Sequence, residues 1–177
     1  MIALLAIGLA AGCGVQPSPS ANTHADPELE ARFPTFIHGG PFLVESYGEP
    51  EELQLLGVDD DFLNSLHVDV GDVSVAYGEH DMSSGAPMHL SVRAYRARGA
   101  SAEDLVAYFR PIMQEQSEGI PLQRTRARGK VVWRPKGNPI AVAGNMLFVN
   151  DDTAYLIYGD NRTAALALLS QIPPASS

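Results

Sequence analysis

Met88, Leu90, Val92 and Ala94 alternate with His89, Ser91, Arg93 and Tyr95. A two-residue period puts successive side chains on opposite faces of an extended strand, so this stretch reads as a strand with one aliphatic face. Val73, Val75 and Tyr77 repeat the pattern upstream, with a polar, loop-like stretch over residues 78–87 between the two runs. Further strands are expected at residues 122–128, 130–134, 140–149 (with a bulge at Gly144) and 154–158. A hairpin is expected to join residues 35–37 to 42–47 around His38-Gly39-Gly40-Pro41. Strands in consecutive hairpin-like runs favour antiparallel pairing. The expected fold class is therefore α+β, an antiparallel sheet with helices packed mainly on one face.

The helices announce themselves by their first residues. Asp26-Pro27-Glu28 supplies a capping side chain, a proline at the first helical position and an acid in the first turn, and Pro34 stops this helix early. Residues 51–56 and 59–66 are further candidates, the second led by Asp59-Asp60-Asp61. Ser101 caps the clearest helix, whose core face is Leu105, Tyr108, Phe109 and Ile112, with Pro111 expected to kink or end it. A closing helix over residues 163–172 has Asn161 as its cap and Pro173-Pro174 as its stop. At an offset of 60, Tyr95 aligns with Tyr155, Gly99 with Gly159, Phe109 with Leu169 and Ile112 with Ile172. Either two related β-β-α units or two ordinary units of similar order account for these matches.

Residues 2–11 form an apolar run that ends at Gly12-Cys13, and the chain turns polar at Gln16-Pro17-Ser18-Pro19-Ser20. Ten apolar residues are too few for a helical membrane span, which takes about 20, so the run reads as the apolar region of a secretory signal. Ala11-Gly12-Cys13 resembles the lipobox of bacterial lipoproteins, which places small residues before the cysteine that is cleaved and acylated. The resemblance implies a signal peptide at residues 1–12, a lipidated tether at 13–25, a single domain at 26–177, and a membrane anchor on the extracytoplasmic face carried by Cys13. The alternatives are a plain cleaved signal with an incidental cysteine, or an N-terminal segment buried in a cytosolic protein. Most of the remaining chain resembles a loosely defined group of secreted or lipoprotein-like bacterial proteins of unknown function. That resemblance rests on Leu29-Glu30-Ala31-Arg32-Phe33-Pro34 before Gly39-Gly40, then Asp72-Val73-Ser74-Val75-Ala76-Tyr77 and Leu90-Ser91-Val92-Arg93-Ala94-Tyr95. No activity comes with it.

Charge is distributed unevenly. Of the 177 residues, 45% are hydrophobic, enough for a packed core, and the net charge is -9, which argues against a general affinity for nucleic acid. Residues 26–81 carry 14 acids and one base, whereas residues 82–136 carry ten bases and four acids. Within the basic half, Arg124, Arg126, Arg128 and Lys130 occupy every second position, which on one extended strand places all four on one face. Such a row reads either as a solvated edge that discourages edge-to-edge pairing or as a site for an anionic ligand, a lipid headgroup or an acidic protein partner.

Motifs for phosphate-binding loops, the nucleophile elbow and the helical zinc site are missing from the sequence. One cysteine excludes a disulfide within the chain and a multi-cysteine zinc site. The best metal candidate is Glu79-His80-Asp81 with His89, since imidazole and carboxylate together suit a divalent ion; the alternative is a set of solvated loop residues. No resident cofactor is implied. The sequence therefore supports a non-enzymatic, membrane-anchored binding module first, a small hydrolase or metal-dependent enzyme around Glu79 to His89 second, and an assembly subunit of a cell-envelope complex third.

Overall fold

The structure is a computed structural model, and it describes residues 24–37, 39–80, 89–137, 140 and 142–173. The apolar run, Cys13, the tether up to residue 23, His38 and Asp81 lie outside the described residues.

Asp26 caps α1 (Pro27–Glu30) by accepting from the Leu29 amide, and β1 (Phe36–Ile37) and β2 (Gly40–Tyr47) form the first hairpin. Then come α2 (Pro50–Leu55) and α3 (Asp60–Leu66), the latter capped by the Asp59 carboxylate on the Phe62 amide. β3 (Val73–His80) and β4 (Leu90–Ala97) lead into α4 (Ala102–Glu115), where the Ser101 hydroxyl accepts from the Asp104 amide. β5 (Leu122–Ala127), β6 (Lys130–Pro135), β7 (Met146–Asn150) and β8 (Thr153–Gly159) follow, and α5 (Arg162–Gln171) closes the chain with Asn161 capping Thr163 and Ala164.

The strands form one sheet in the order β1-β2-β3-β4-β8-β7-β6-β5, and every neighbouring pair is antiparallel. The chain therefore builds the sheet from both edges inward. β1 to β4 advance from one edge, α4 carries the chain across to the opposite edge, and β5 to β8 return until β8 pairs with β4. The α+β class and the antiparallel sheet read from the sequence are what the structure has.

Strand alternation divides the core. On one face Val73, Val75, Tyr95, Ala97, Leu147, Ala154 and Leu156 pack against Leu53, Phe62, Leu66, Leu105, Phe109 and Met113, which come from α2, α3 and α4. On the other, Phe42, Leu90, Val92, Ala94, Phe148, Tyr155 and Ile157 pack against Leu29 of α1 and Ala165, Leu168 and Leu169 of α5. Each large apolar side chain so buried stabilises the fold by about 1.5–3 kcal/mol before the entropy cost of ordering it. The larger helical layer, α2 to α4, thus lies on one face, with α1 and α5 on the opposite one.

The two β-β-α successions are both present, β3-β4-α4 and β7-β8-α5. Tyr95 points toward α4 and Tyr155 toward α5, on opposite faces, although β4 and β8 are adjacent and antiparallel. A two-fold rotation relating adjacent antiparallel strands keeps equivalent side chains on one face, so the two units share element order but not handedness.

Three local expectations are revised. The strand expected over residues 140–149 starts only at Met146, because Gly144 is drawn against β8, its amide donating to the Gly159 carbonyl at 3.0 Å. α4 runs through Pro111, whose exposed position leaves Phe109 and Met113 to hold both sides of it in the core. β3 extends to His80 instead of giving way to a loop at Gly78; the missing Cβ of Gly78 leaves room for the Phe42 ring, which an added Cβ would meet at 2.6 Å.

Candidate functional site

The four basic residues of the expected row do not share a face. β5 ends at Ala127, and Arg128 and Gly129, with φ of 51° and 80°, form a two-residue turn that pairs Ala127 with Lys130 on β6. Positive φ at both turn residues is the geometry that matches the twist of a tight hairpin. Lys130 is consequently turned toward α5, where its ammonium donates to the Leu169 carbonyl at 2.7 Å and lies 5.7 Å from the centre of the Phe148 ring. Only Arg124 and Arg126 remain together, exposed on an edge strand, with Arg124 over Trp133 at 6.0 Å.

Of the metal candidates, Glu79 and His80 lie on opposite faces of the sheet. His80 is buried on the α5 face, 6.0 Å from the Phe42 ring centre, and its Nε2 donates to the Ile37 carbonyl at 2.7 Å. Glu79, one residue earlier on the strand, points to the α4 face and accepts from the Tyr77 hydroxyl at 2.7 Å. Among the described residues no group of three or more His, Cys, Asp or Glu side chains is placed to hold a metal ion.

What the fold does assemble is a cleft of about 500 Å³ between α4 and the sheet. Its floor is the α4-side face of three adjacent strands: Tyr77 from β3, Ser91, Arg93 and Tyr95 from β4, Leu156 and Tyr158 from β8, with His89 at the mouth. Strand register sets this floor. Arg93 stands directly between Tyr77 and Leu156, and Ser91 between Glu79 and Tyr158. Tyr108, Phe109, Ile112 and Gln116 form the wall, spaced so that successive turns of α4 face the sheet. Leu56 and Gly57 complete the rim, held there because the Tyr95 hydroxyl donates to the Leu56 carbonyl at 2.8 Å. An aromatic cluster fixes the inner end: Tyr95 and Phe109 ring centres are 4.7 Å apart, and Phe62 and Tyr108 are 5.2 Å apart.

The phenols of the cleft are held neutral. Burial, the bond to Glu79 and the charge of that carboxylate push Tyr77 up to about 12, against an opposing pull from Arg93. Burial and the neighbouring Tyr95 push Tyr158 up to about 12, again opposed by Arg93. Tyr95 and Tyr108 are raised as well, both mainly by burial, Tyr108 further by the charge of Asp59. At physiological pH the cleft therefore offers neutral hydroxyls, aromatic faces and one guanidinium, a surface able to hold and orient a small molecule.

No family model matches this chain, and no curated protein or solved structure matches it. The cleft is accordingly read from its own chemistry. In the sequence Arg93 reads only as an extension, with Arg96 and Arg98, of the basic row if their strand is adjacent, and Tyr77 and Tyr158 carry no signal of a site, because nothing there joins β4 to β8, some sixty residues apart. The signal that was present is the contrast within one strand: Leu90, Val92 and Ala94 are aliphatic, while Ser91, Arg93 and Tyr95 are not.

Proposed function

We propose that this protein is a membrane-anchored, extracytoplasmic binding module whose ligand site is the cleft under α4. The cleft is the observation that carries the binding reading: its volume falls in the range typical of small-molecule sites, and it joins aromatic walls to a few convergent polar groups. The anchor rests on the lipobox-like Ala11-Gly12-Cys13. Among the described residues no helix is long and apolar enough to cross a membrane. In this reading acyl chains on Cys13 hold the protein at about 0.8 kcal/mol per buried methylene, and the ten residues 14–23 let the domain stand up to roughly 35 Å from the surface.

Among the described residues, His24 and Ala25 contact β2 and α1. The Ala25 amide donates to the Ser46 carbonyl at 3.1 Å, and His24 bonds the Glu30 carboxylate at 2.9 Å. His24 also forms an isolated bridge with Ser46 of β2.

Metabolic labelling with an alkyne-bearing fatty acid tests the anchor. Label on the wild type and none on Cys13→Ala supports it; an unlabelled wild type, or equal label on both, refutes it.

A further inference from the structure

Arg93 and Arg96 sit three residues apart on β4 and have opposite surroundings. Arg96 points to the α5 side, where Asp26 and Glu28 lie at 3.2 and 3.3 Å and Asp152 at 3.5 Å. Arg93 points into the cleft and has no carboxylate within 4 Å among the described residues. What sets Arg93 apart is its place: it is the guanidinium in the lining of the cleft, set among Tyr77, Tyr95, Tyr108 and Tyr158.

The geometry points to a monoanionic ligand with a flat apolar body, a carboxylate above all, seated with its charge on Arg93 and its body between Tyr108 and Leu156. This inference rests on the reading of the cleft as a binding site and specifies what that site takes. A planar carboxylate matches the donor fork of a guanidinium, and the neutral Tyr158 and Ser91 hydroxyls flank it on neighbouring positions of the floor. The wall is aromatic and aliphatic, which suits a ring system more than a polyol. The single charge follows from what surrounds the cleft. Glu79 is bonded to Tyr77 directly across from Arg93, and the charge of Asp59 reaches Tyr108, so a second negative charge on the ligand meets repulsion that one guanidinium does not offset.

Isothermal titration of the full chain with 2-naphthoate, 2-naphthylmethanol and 2-naphthyl phosphate tests this, since the three probes share a ring and differ in charge. The wild type is expected to bind the carboxylate about tenfold more tightly than the alcohol, the difference a charge-assisted bond supplies. The phosphate should bind more weakly than the carboxylate. Arg93→Gln should bring the carboxylate down to the level of the alcohol, whereas Arg124→Gln, on the distant edge strand, should change nothing; an unaltered melting temperature checks that both variants are folded. Equal binding of carboxylate and alcohol, or indifference to Arg93→Gln, overturns the charge assignment and leaves the cleft as an uncharged-ligand site. Tighter binding of the phosphate overturns the monoanion. Binding of none of the three removes the cleft reading itself.

Discussion

The Arg96 guanidinium lies 3.2 Å from the Asp26 carboxylate, tying β4, one of the two central strands of the sheet, to the residue that caps the first helix. Burial pushes the Asp26 carboxyl up, yet the Ser74 hydroxyl at 2.5 Å, the Leu29 amide and Arg96 together hold it below the ordinary aspartate value. A depressed carboxyl contributes stability that is complete above the unfolded value, near pH 4, and is lost as pH falls from there through the folded value. Asp26→Asn keeps the shape and removes the charge. It should cost about 2 kcal/mol, less than the roughly 3–5 kcal/mol of a buried pair with no other partners, because Glu28 and Asp152 still face Arg96. Denaturant unfolding at pH 7 and at pH 3 checks both parts: the gap between wild type and variant should be wide at pH 7 and should narrow at pH 3.

Gly144 and Gly78 are both close-approach glycines, and they should differ in cost. A Cβ on Gly144 would lie 2.6 Å from the Gly159 carbonyl oxygen, a backbone atom held in β8. On Gly78 the nearest atom, also at 2.6 Å, belongs to the Phe42 ring, a side chain that can shift. Gly144→Ala is expected to destabilise by about 3 kcal/mol and Gly78→Ala by about 1–2 kcal/mol, measured by chemical denaturation. The reverse order would mean that the approach of residue 144 to β8 contributes little.

The Arg128-Gly129 turn asks an arginine to adopt a left-handed backbone, φ 51°. Asparagine tolerates that region better, so Arg128→Asn should raise stability by roughly 0.5 kcal/mol, and Gly129→Ala should lower it by about 1 kcal/mol. Thermal melts of the two variants should move in opposite directions.

Much of the local structure was legible because it depends on neighbours in sequence. Asp26, Ser101 and Asn161 cap the helices they were expected to cap, and the alternation of β3 and β4 gave the strands. The shared face of the basic row depends on one extended strand, whereas the strands expected at 122–128 and 130–134 already break at Gly129, and Arg128-Gly129, not the usual residue pair for a tight hairpin, makes the turn. Gly78 misled in the opposite sense, resembling a loop start when its role is to admit the Phe42 ring. The cleft was illegible for a different reason. It needs β4 beside β8 and α4 above both, and those pairings are set by which apolar faces find each other.

Arg124 and Arg126 lie exposed on β5, whose outer edge has no neighbouring strand among the described residues. Charged side chains on such an edge oppose pairing with another chain. Replacing both by Thr should raise self-association, seen as concentration-dependent light scattering, whereas replacing both by Glu should leave the protein monodisperse. Aggregation of the Glu variant would indicate that the two arginines act through a specific contact instead of through their charge.

The six tyrosines allow the binding site to be located in one titration. Tyr77, Tyr95, Tyr108 and Tyr158 line the cleft; Tyr155 lies on the opposite face, and Tyr47 on β2 is not part of the lining. With the tyrosine rings carbon-13 labelled, adding 2-naphthoate to the full chain should shift the ring resonances of the first four and leave those of Tyr47 and Tyr155 in place. Shifts centred on Tyr47 or Tyr155, or no shifts at any ring, would contradict the assignment of the cleft under α4 as the ligand site.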